Sequence, residues 1–132
     1  MSYMSEIYLA RLDVKTVANY LQANPGVDFD DAISTLEEEK CLRISDELRN
    51  AGIDPAKLDW GCIWGEIEDY ENNLPKHRRI DEVTAILLLV SGIDLEAAEH
   101  VEAFIEKFSQ ETGHTMSPAD AIDFLIGQGE ID

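Results

Sequence analysis

The chain has 132 residues, 45% of them hydrophobic, which is enough for a single domain over residues 1–132 to bury about two-thirds of the surface that the unfolded chain exposes. Its 28 Asp and Glu residues against 10 Lys and Arg give a net charge of −18 at pH 7. This acidic surplus argues against direct binding of nucleic acid, whose binders carry a basic surface, and favours a basic protein as the partner.

The amino-terminal segment admits two interpretations. We favour one helix that starts at Ser5 and covers residues 5–22. The alternative is a short strand within residues 5–12, where the sequence is EIYLARL, followed by a helix that Asp13 caps.

One tripeptide pattern, Gly, then Ile or Val, then Asp, occurs at residues 26–28, 52–54 and 92–94. Glycine suits the left-handed residue that ends a helix, and the apolar residue after it supplies the contact that accompanies such an ending. The Asp then suits the cap of the next helix, and Pro55 follows one copy at a first helical position. The pattern therefore predicts three joints, each the end of one helix and the start of another.

Apolar residues in the segments between these joints recur at helical spacing. The segment at residues 80–91 is apolar on nearly every side, so we expect a buried helix there, with a buried strand as the alternative. Gly61 and Gly65 lie four residues apart in another segment and predict a close approach of a second helix, or else a local break. The predicted fold is all-α, a compact bundle of about six helices, covering residues 5–22, 28–50, 54–74, 80–91, 94–113 and 117–127.

No residue pattern is typical of a catalytic or metal site. Residues 28–39 resemble a calcium loop only superficially, because Ala32 and Ile33 stand where an oxygen ligand and the turn glycine belong. The three histidines lack neighbouring His or Cys partners, and the chain has no phosphate-binding glycine loop and no glycine-flanked nucleophilic serine. We therefore expect a protein that is not an enzyme and that uses no metal and no cofactor.

The two cysteines, Cys41 and Cys62, are too few for a disulfide framework, and we expect both to be buried apolar residues in a reducing compartment. The first residues, MSYMSEIYLARLD, do not form a secretory signal. The longest apolar run, residues 85–90, is far shorter than the roughly 20 residues that a membrane span requires. We expect a cytoplasmic protein that does not contact the membrane.

The acidic residues are distributed unevenly along the chain. Residues 80–132 contain 12 Asp and Glu against one Lys, whereas residues 1–79 contain 16 against 9 Lys and Arg. In the main helix of the acidic half, four glutamates fall within an arc of about 120° and span roughly 15 Å. This acidic stripe consists of Glu96, Glu99, Glu102 and Glu106.

Two smaller charged clusters accompany the stripe. Glu37, Glu38 and Glu39 form a second acidic patch. The basic sequence KHRR at residues 76–79 is expected to pair with acidic residues inside the fold and so anchor the connector between two helices, with a small anion site as the alternative.

Together these features predict a non-catalytic acidic inhibitor that binds the basic, nucleic-acid-binding surface of a partner protein. The predicted mode of action is that of phage or plasmid proteins that imitate DNA and so block restriction or CRISPR machinery. Two alternatives stay open: an immunity protein that neutralises a basic nuclease toxin, and a helical scaffold or regulatory subunit. The predicted binding residues are the acidic stripe and the second acidic patch.

Overall fold

A computed structural model of the chain describes residues 12, 14–75 and 79–132. These residues form six α-helices and no strand, which confirms the prediction of an all-α fold with about six helices. The choice between helix and strand at residues 5–12 lies outside the described residues, apart from Leu12. The helices are α1 (Val14–Ala23), α2 (Phe29–Asn50), α3 (Trp60–Asn72), α4 (Glu82–Val90), α5 (Ala97–Thr112) and α6 (Pro118–Gly127), with a 3-10 turn at Pro55–Lys57.

The chain divides into two compact units, one ending at Gly61 and the other running from Cys62 to Asp132. The prediction of one domain over residues 1–132 stays a prediction beside this division. In the first unit, α1 packs against α2, and α2 also contacts the 3-10 turn. The buried side of α2 is lined by Ala32, Leu36, Cys41, Ile44 and Leu48, which agrees with the helical spacing of apolar residues in this segment.

The second unit is built around α4, which packs against both α5 and α6, while α5 and α6 also pack against each other. Six consecutive residues of α4, Val83 to Leu88, are buried. A helix that is apolar on all sides can be stable only where other elements cover every side of it. The structure thus confirms the buried helix over the alternative of a strand.

Two of the predicted joints, at Gly52 and Gly92, end their helices in the same way. Both glycines adopt left-handed backbone conformations, with φ angles of 84° and 74°. The residue after each glycine donates its N–H to a carbonyl five residues earlier, Ile53 to Leu48 and Ile93 to Leu88, at 2.9 Å in both cases. These are the hydrogen bonds of a glycine-ended helix, as the sequence predicts.

Several local predictions are wrong. Asp94 is not the cap of α5, whose N-cap is Glu96, and Asp54 caps the 3-10 turn rather than α3. The side chain of Asp28 makes no capping hydrogen bond at the start of α2, although its backbone has the extended conformation of a cap. Gly65 is exposed, and no atom of the described residues lies within 4 Å of the point where a Cβ atom would stand. Gly61 has only the Asp59 carboxylate at 3.8 Å, so within the described residues neither glycine admits a closely packed helix.

Candidate partner-binding surface

The helix that carries the acidic stripe is fixed to its unit by one apolar side. Ala98 and Val101 are fully buried, and Ile105 and Phe108 are half-buried further along the same side. At its end Gly113 takes a left-handed φ of 73° and donates its N–H to the carbonyl of Ser109 at 2.8 Å. The burial of this side determines which side of α5 faces water.

Three of the four stripe glutamates are exposed, and the Glu106 Oε1 accepts a hydrogen bond from the Gln110 side chain at 3.5 Å. Glu96, Glu99 and Glu106 are exposed, whereas Glu102 is half-buried. Since Glu102 lies at the edge of the stripe that is closest to the apolar side of α5, the helical period accounts for this difference. The surface offered to a partner therefore consists mainly of Glu96, Glu99 and Glu106.

The half-buried Glu102 is engaged within the fold. Its Oε1 accepts a hydrogen bond from the backbone N–H of Asp81 at 2.6 Å. The Asp81 carboxylate in turn accepts hydrogen bonds from the backbone N–H and the hydroxyl of Thr84, both at 3.0 Å, and so caps α4. Glu102 thus contributes to holding the start of the buried helix in addition to any role in binding.

This contact adds an acidic residue to the stripe that the sequence analysis missed. Asp81 is exposed, and its backbone lies against Glu102 although 21 residues separate the two along the chain. No sequence signal marks the proximity, because it arises from the packing of α4 against α5. Asp81 extends the anionic surface from α5 to the first turn of α4.

A second carboxylate binds the connector between α3 and α4, which contains Ile80 and Asp81. Glu71, in the last turn of α3, is buried with 6% of its surface exposed, and its Oε2 accepts a hydrogen bond from the backbone N–H of Ile80 at 2.8 Å. The consecutive N–H groups of Ile80 and Asp81 are therefore bound by carboxylates from two different helices. The sequence predicts an anchored connector, but it assigns the anchoring to KHRR, of which residues 76–78 lie outside the described residues and Arg79 is exposed.

The second acidic patch has a less uniform exposure. Glu38 and Glu39 are exposed and Glu37 is half-buried. Consecutive residues of a helix point about 100° apart, so these three glutamates do not share one face. Helix α2 also contains Lys40, Arg43 and Arg49, whereas α5 contains Lys107 as its one Lys or Arg. The acidic stripe is the stronger candidate for binding a basic partner.

An aromatic pair lies on another side of the second unit. The rings of Phe104 in α5 and Phe124 in α6 stack with centroids 5.2 Å apart and planes 15° from parallel. Phe124 nevertheless leaves 47% of its surface exposed, and Phe104 is half-buried. Aromatic residues at this position were not among the predicted binding residues.

The two cysteines differ in environment. Cys41 is fully buried in α2, as predicted, and burial raises the pKa of its thiol above the ordinary value, so this thiol is protonated at neutral pH. Cys62 is exposed, so the prediction that it is buried is wrong. Within the described ranges, no three His, Cys, Asp or Glu side chains are grouped so as to hold a metal ion.

Comparisons with known proteins return no relative of this chain: no family model, no curated protein and no solved structure matches it. None of the described helices combines the length and the apolar character that crossing a membrane demands. The geometry of the surface, its charge and its aromatic pair are therefore the basis for a functional proposal.

Proposed function

We propose that this protein is a non-catalytic inhibitor that binds, through its acidic stripe, the basic nucleic-acid-binding surface of a partner protein. The observation that carries the proposal is the set of exposed glutamates on one face of α5 and its N-cap, Glu96, Glu99 and Glu106. Lys107 is the one Lys or Arg within α5. Glu96 and Glu99 lie three residues apart, a spacing at which like charges on a helix repel one another by a few tenths of a kcal/mol, and a cationic partner would relieve that repulsion.

The distribution of charge supports the same surface. Residues 62–132 contain 16 Asp and Glu against 4 Lys and Arg, a net charge of −12, whereas residues 1–61 contain 12 against 6, a net charge of −6. A unit charge that approaches such a surface is attracted or repelled by roughly 1 kcal/mol at physiological salt concentration. This field would speed the association of a basic partner and keep nucleic acid away.

The dimensions of the stripe also fit a surface that receives phosphates. From Glu96 to Glu106 the helix axis advances about 15 Å, at a rise of about 1.5 Å per residue. Each strand of duplex DNA presents one phosphate per about 3.4 Å, so a groove that binds several phosphates is long enough to receive the stripe. Asp81, beside Glu102, widens the anionic surface in the direction of α4.

The proposal places the protein in the cytoplasm. Both Cys41 and Cys62 are free thiols, which is the usual state of cysteine in a reducing compartment. Proteins that bind nucleic acid through basic grooves are also found there.

Charge reversal of the exposed stripe tests the proposal. The variant carries Glu96→Lys, Glu99→Lys and Glu106→Lys and leaves Glu102 intact, because Glu102 holds the Asp81 backbone. A matched control carries Glu66→Lys, Glu68→Lys and Asp69→Lys, three exposed positions of α3 in the same unit, so that both variants change the net charge equally. The helical circular-dichroism signal and the melting temperature verify that each variant is folded.

The partner is first captured from cell extract by the wild-type chain, and its affinity is then measured by calorimetry at 50 and 500 mM NaCl. We expect the stripe variant to bind at least tenfold more weakly, the control to bind within about threefold of wild type, and added duplex DNA to compete with the protein. Equal losses in the two variants would indicate a general charge effect and would contradict the assignment to α5. A complex that survives both high salt and excess DNA would favour the scaffold alternative, and one that yields to salt alone would favour the immunity protein.

A further inference from the structure

The stacked aromatic pair on α5 and α6 has the features of a binding site for an arginine side chain. We propose that Phe104 and Phe124 form a platform on which an arginine of the basic partner stacks, and this proposal rests on the proposed function. The rings lie 5.2 Å apart and close to parallel, which fixes their orientation, and Phe124 retains 47% of its surface open to solvent. A cation that approaches the face of an aromatic ring is attracted by the negative potential of that face.

Helical spacing, together with the contact of His100 with Glu130, places carboxylates of three segments on the side of the unit that carries the platform. Asp120 lies one helical turn before Phe124, and Glu111 lies two turns after Phe104 on nearly the same line of α5. His100 lies one turn before Phe104, and its Nε2 is 3.7 Å from Oε1 of Glu130, which brings a third carboxylate to this side. Asp120, Glu111 and Glu130 are all exposed.

The charge of the chain selects the occupant. A second copy of the protein would bring a net charge of −18 to a surface that is itself acidic, so self-association over the aromatic pair is opposed by repulsion. A basic partner is attracted by the same field. The occupant must then combine positive charge with an affinity for an exposed aromatic face.

Arginine satisfies both requirements better than lysine. Its guanidinium group is planar, stacks on aromatic rings and can donate two parallel hydrogen bonds to one carboxylate at the same time. Lysine has a compact, strongly hydrated charge that does not stack. The platform would therefore distinguish arginine from lysine, which the acidic stripe alone cannot do by charge.

The experiment uses the full-length chain and two blocked peptides, one with four Ala-Arg repeats and one with four Ala-Lys repeats, which carry equal charge. Each is titrated into 15N- and 13C-labelled protein at 150 mM NaCl and followed by NMR. We expect the arginine peptide to bind at least threefold more tightly than the lysine peptide and to shift the ring resonances of Phe104 and Phe124. In Phe124→Leu, which keeps an apolar side chain but removes the ring, the preference for arginine should disappear.

A second variant, Asp120→Asn, keeps both rings and removes one bordering charge, and it should weaken the arginine peptide about twofold to threefold. Equal binding of both peptides to wild type and to Phe124→Leu would overturn the platform, as would the absence of binding by either peptide at 50 mM NaCl. These outcomes do not decide the proposed function, which is tested separately by the affinity of the captured partner for the stripe variant. Conversely, an arginine preference that persists while the stripe variant binds the captured partner normally would support the platform and contradict the proposed function.

Discussion

The two joints at Gly52 and Gly92 end their helices alike and then start the next element differently. In both, a left-handed glycine is followed by an isoleucine whose N–H binds a carbonyl five residues earlier at 2.9 Å. In both, the following Asp accepts a hydrogen bond from the N–H two residues later, at 3.0 Å for Asp54 and 2.9 Å for Asp94. After Asp54 the backbone forms a separate 3-10 turn before α3. After Asp94 it enters α5 within three residues.

The two joints start the next element differently because of the donors that bind the carbonyl of Pro55, the residue after Asp54. The carbonyl of Pro55 accepts hydrogen bonds from the N–H of Leu58 at 3.4 Å and from the indole N–H of Trp60 at 3.0 Å. Trp60 is fully buried, and its indole N–H binds the 3-10 turn at Pro55. At these two joints the end of the helix is determined by the glycine and the isoleucine after it. The start of the next element differs because Trp60 is buried at one joint and binds Pro55.

The largest effect is expected from Trp60→Ala. Removing the buried ring leaves a cavity and takes away one of the donors to the Pro55 carbonyl, which should lower the free energy of unfolding by about 3–5 kcal/mol. Urea unfolding followed by circular dichroism measures the loss. A loss below about 1 kcal/mol would show that the ring does not hold the turn, and Trp60→Phe separates the packing contribution from the hydrogen bond.

A smaller loss of stability, nearly equal at both positions, is expected at the two glycines that end their helices. Gly52→Ala and Gly92→Ala should each lower the free energy of unfolding by about 1 kcal/mol, because an alanine is strained at these positive φ angles. No atom of the described residues lies within 4 Å of either added Cβ, so the cost is that of the backbone alone.

The matched control for both is Gly65→Ala, an exposed position in the interior of α3. There the alanine should stabilise the protein by up to about 1 kcal/mol, because it favours the helix and meets no neighbour in the described part of the chain. Differential scanning calorimetry of the three variants gives the comparison. A stabilising Gly92→Ala, or a destabilising Gly65→Ala, would contradict it.

The smallest effect is expected from the shared aspartates. Asp54→Ala and Asp94→Ala each remove one exposed hydrogen bond to the backbone and should cost about 0.5–1 kcal/mol. Asn at either position keeps an oxygen acceptor and should restore most of the loss in urea unfolding. If Asn fails to restore it, the charge of the aspartate rather than its hydrogen bond is responsible.

The parts of the fold that could be predicted from sequence are those that depend on local chemistry. The left-handed glycines, the caps at Asp54 and Ser117 and the buried character of α4 all follow from residues within one or two turns. Asp28 shows the limit of such reasoning, because it has the residue type and backbone of a cap without the hydrogen bond.

The parts of the candidate site that could not be predicted depend on contacts between distant residues. Four glutamates at helical spacing look equivalent in the sequence, yet Glu102 is bound to Asp81 and the other three are exposed. The stack of Phe104 on Phe124 likewise requires the packing of α5 against α6. Exposed Gly65 shows the opposite error, a tertiary contact inferred from a local pattern.

Because Glu102 binds the Asp81 backbone, the glutamates of the acidic stripe differ in the free energy that binding a ligand would cost. A lysine or arginine that drew the Glu102 carboxylate away would leave the Asp81 N–H to water and loosen the first turn of α4, at a cost of about 1 kcal/mol. Glu96 and Glu106 can reorient without disturbing that turn. A cationic side chain can therefore bind Glu96 or Glu106 without breaking this hydrogen bond, whereas binding Glu102 requires breaking it.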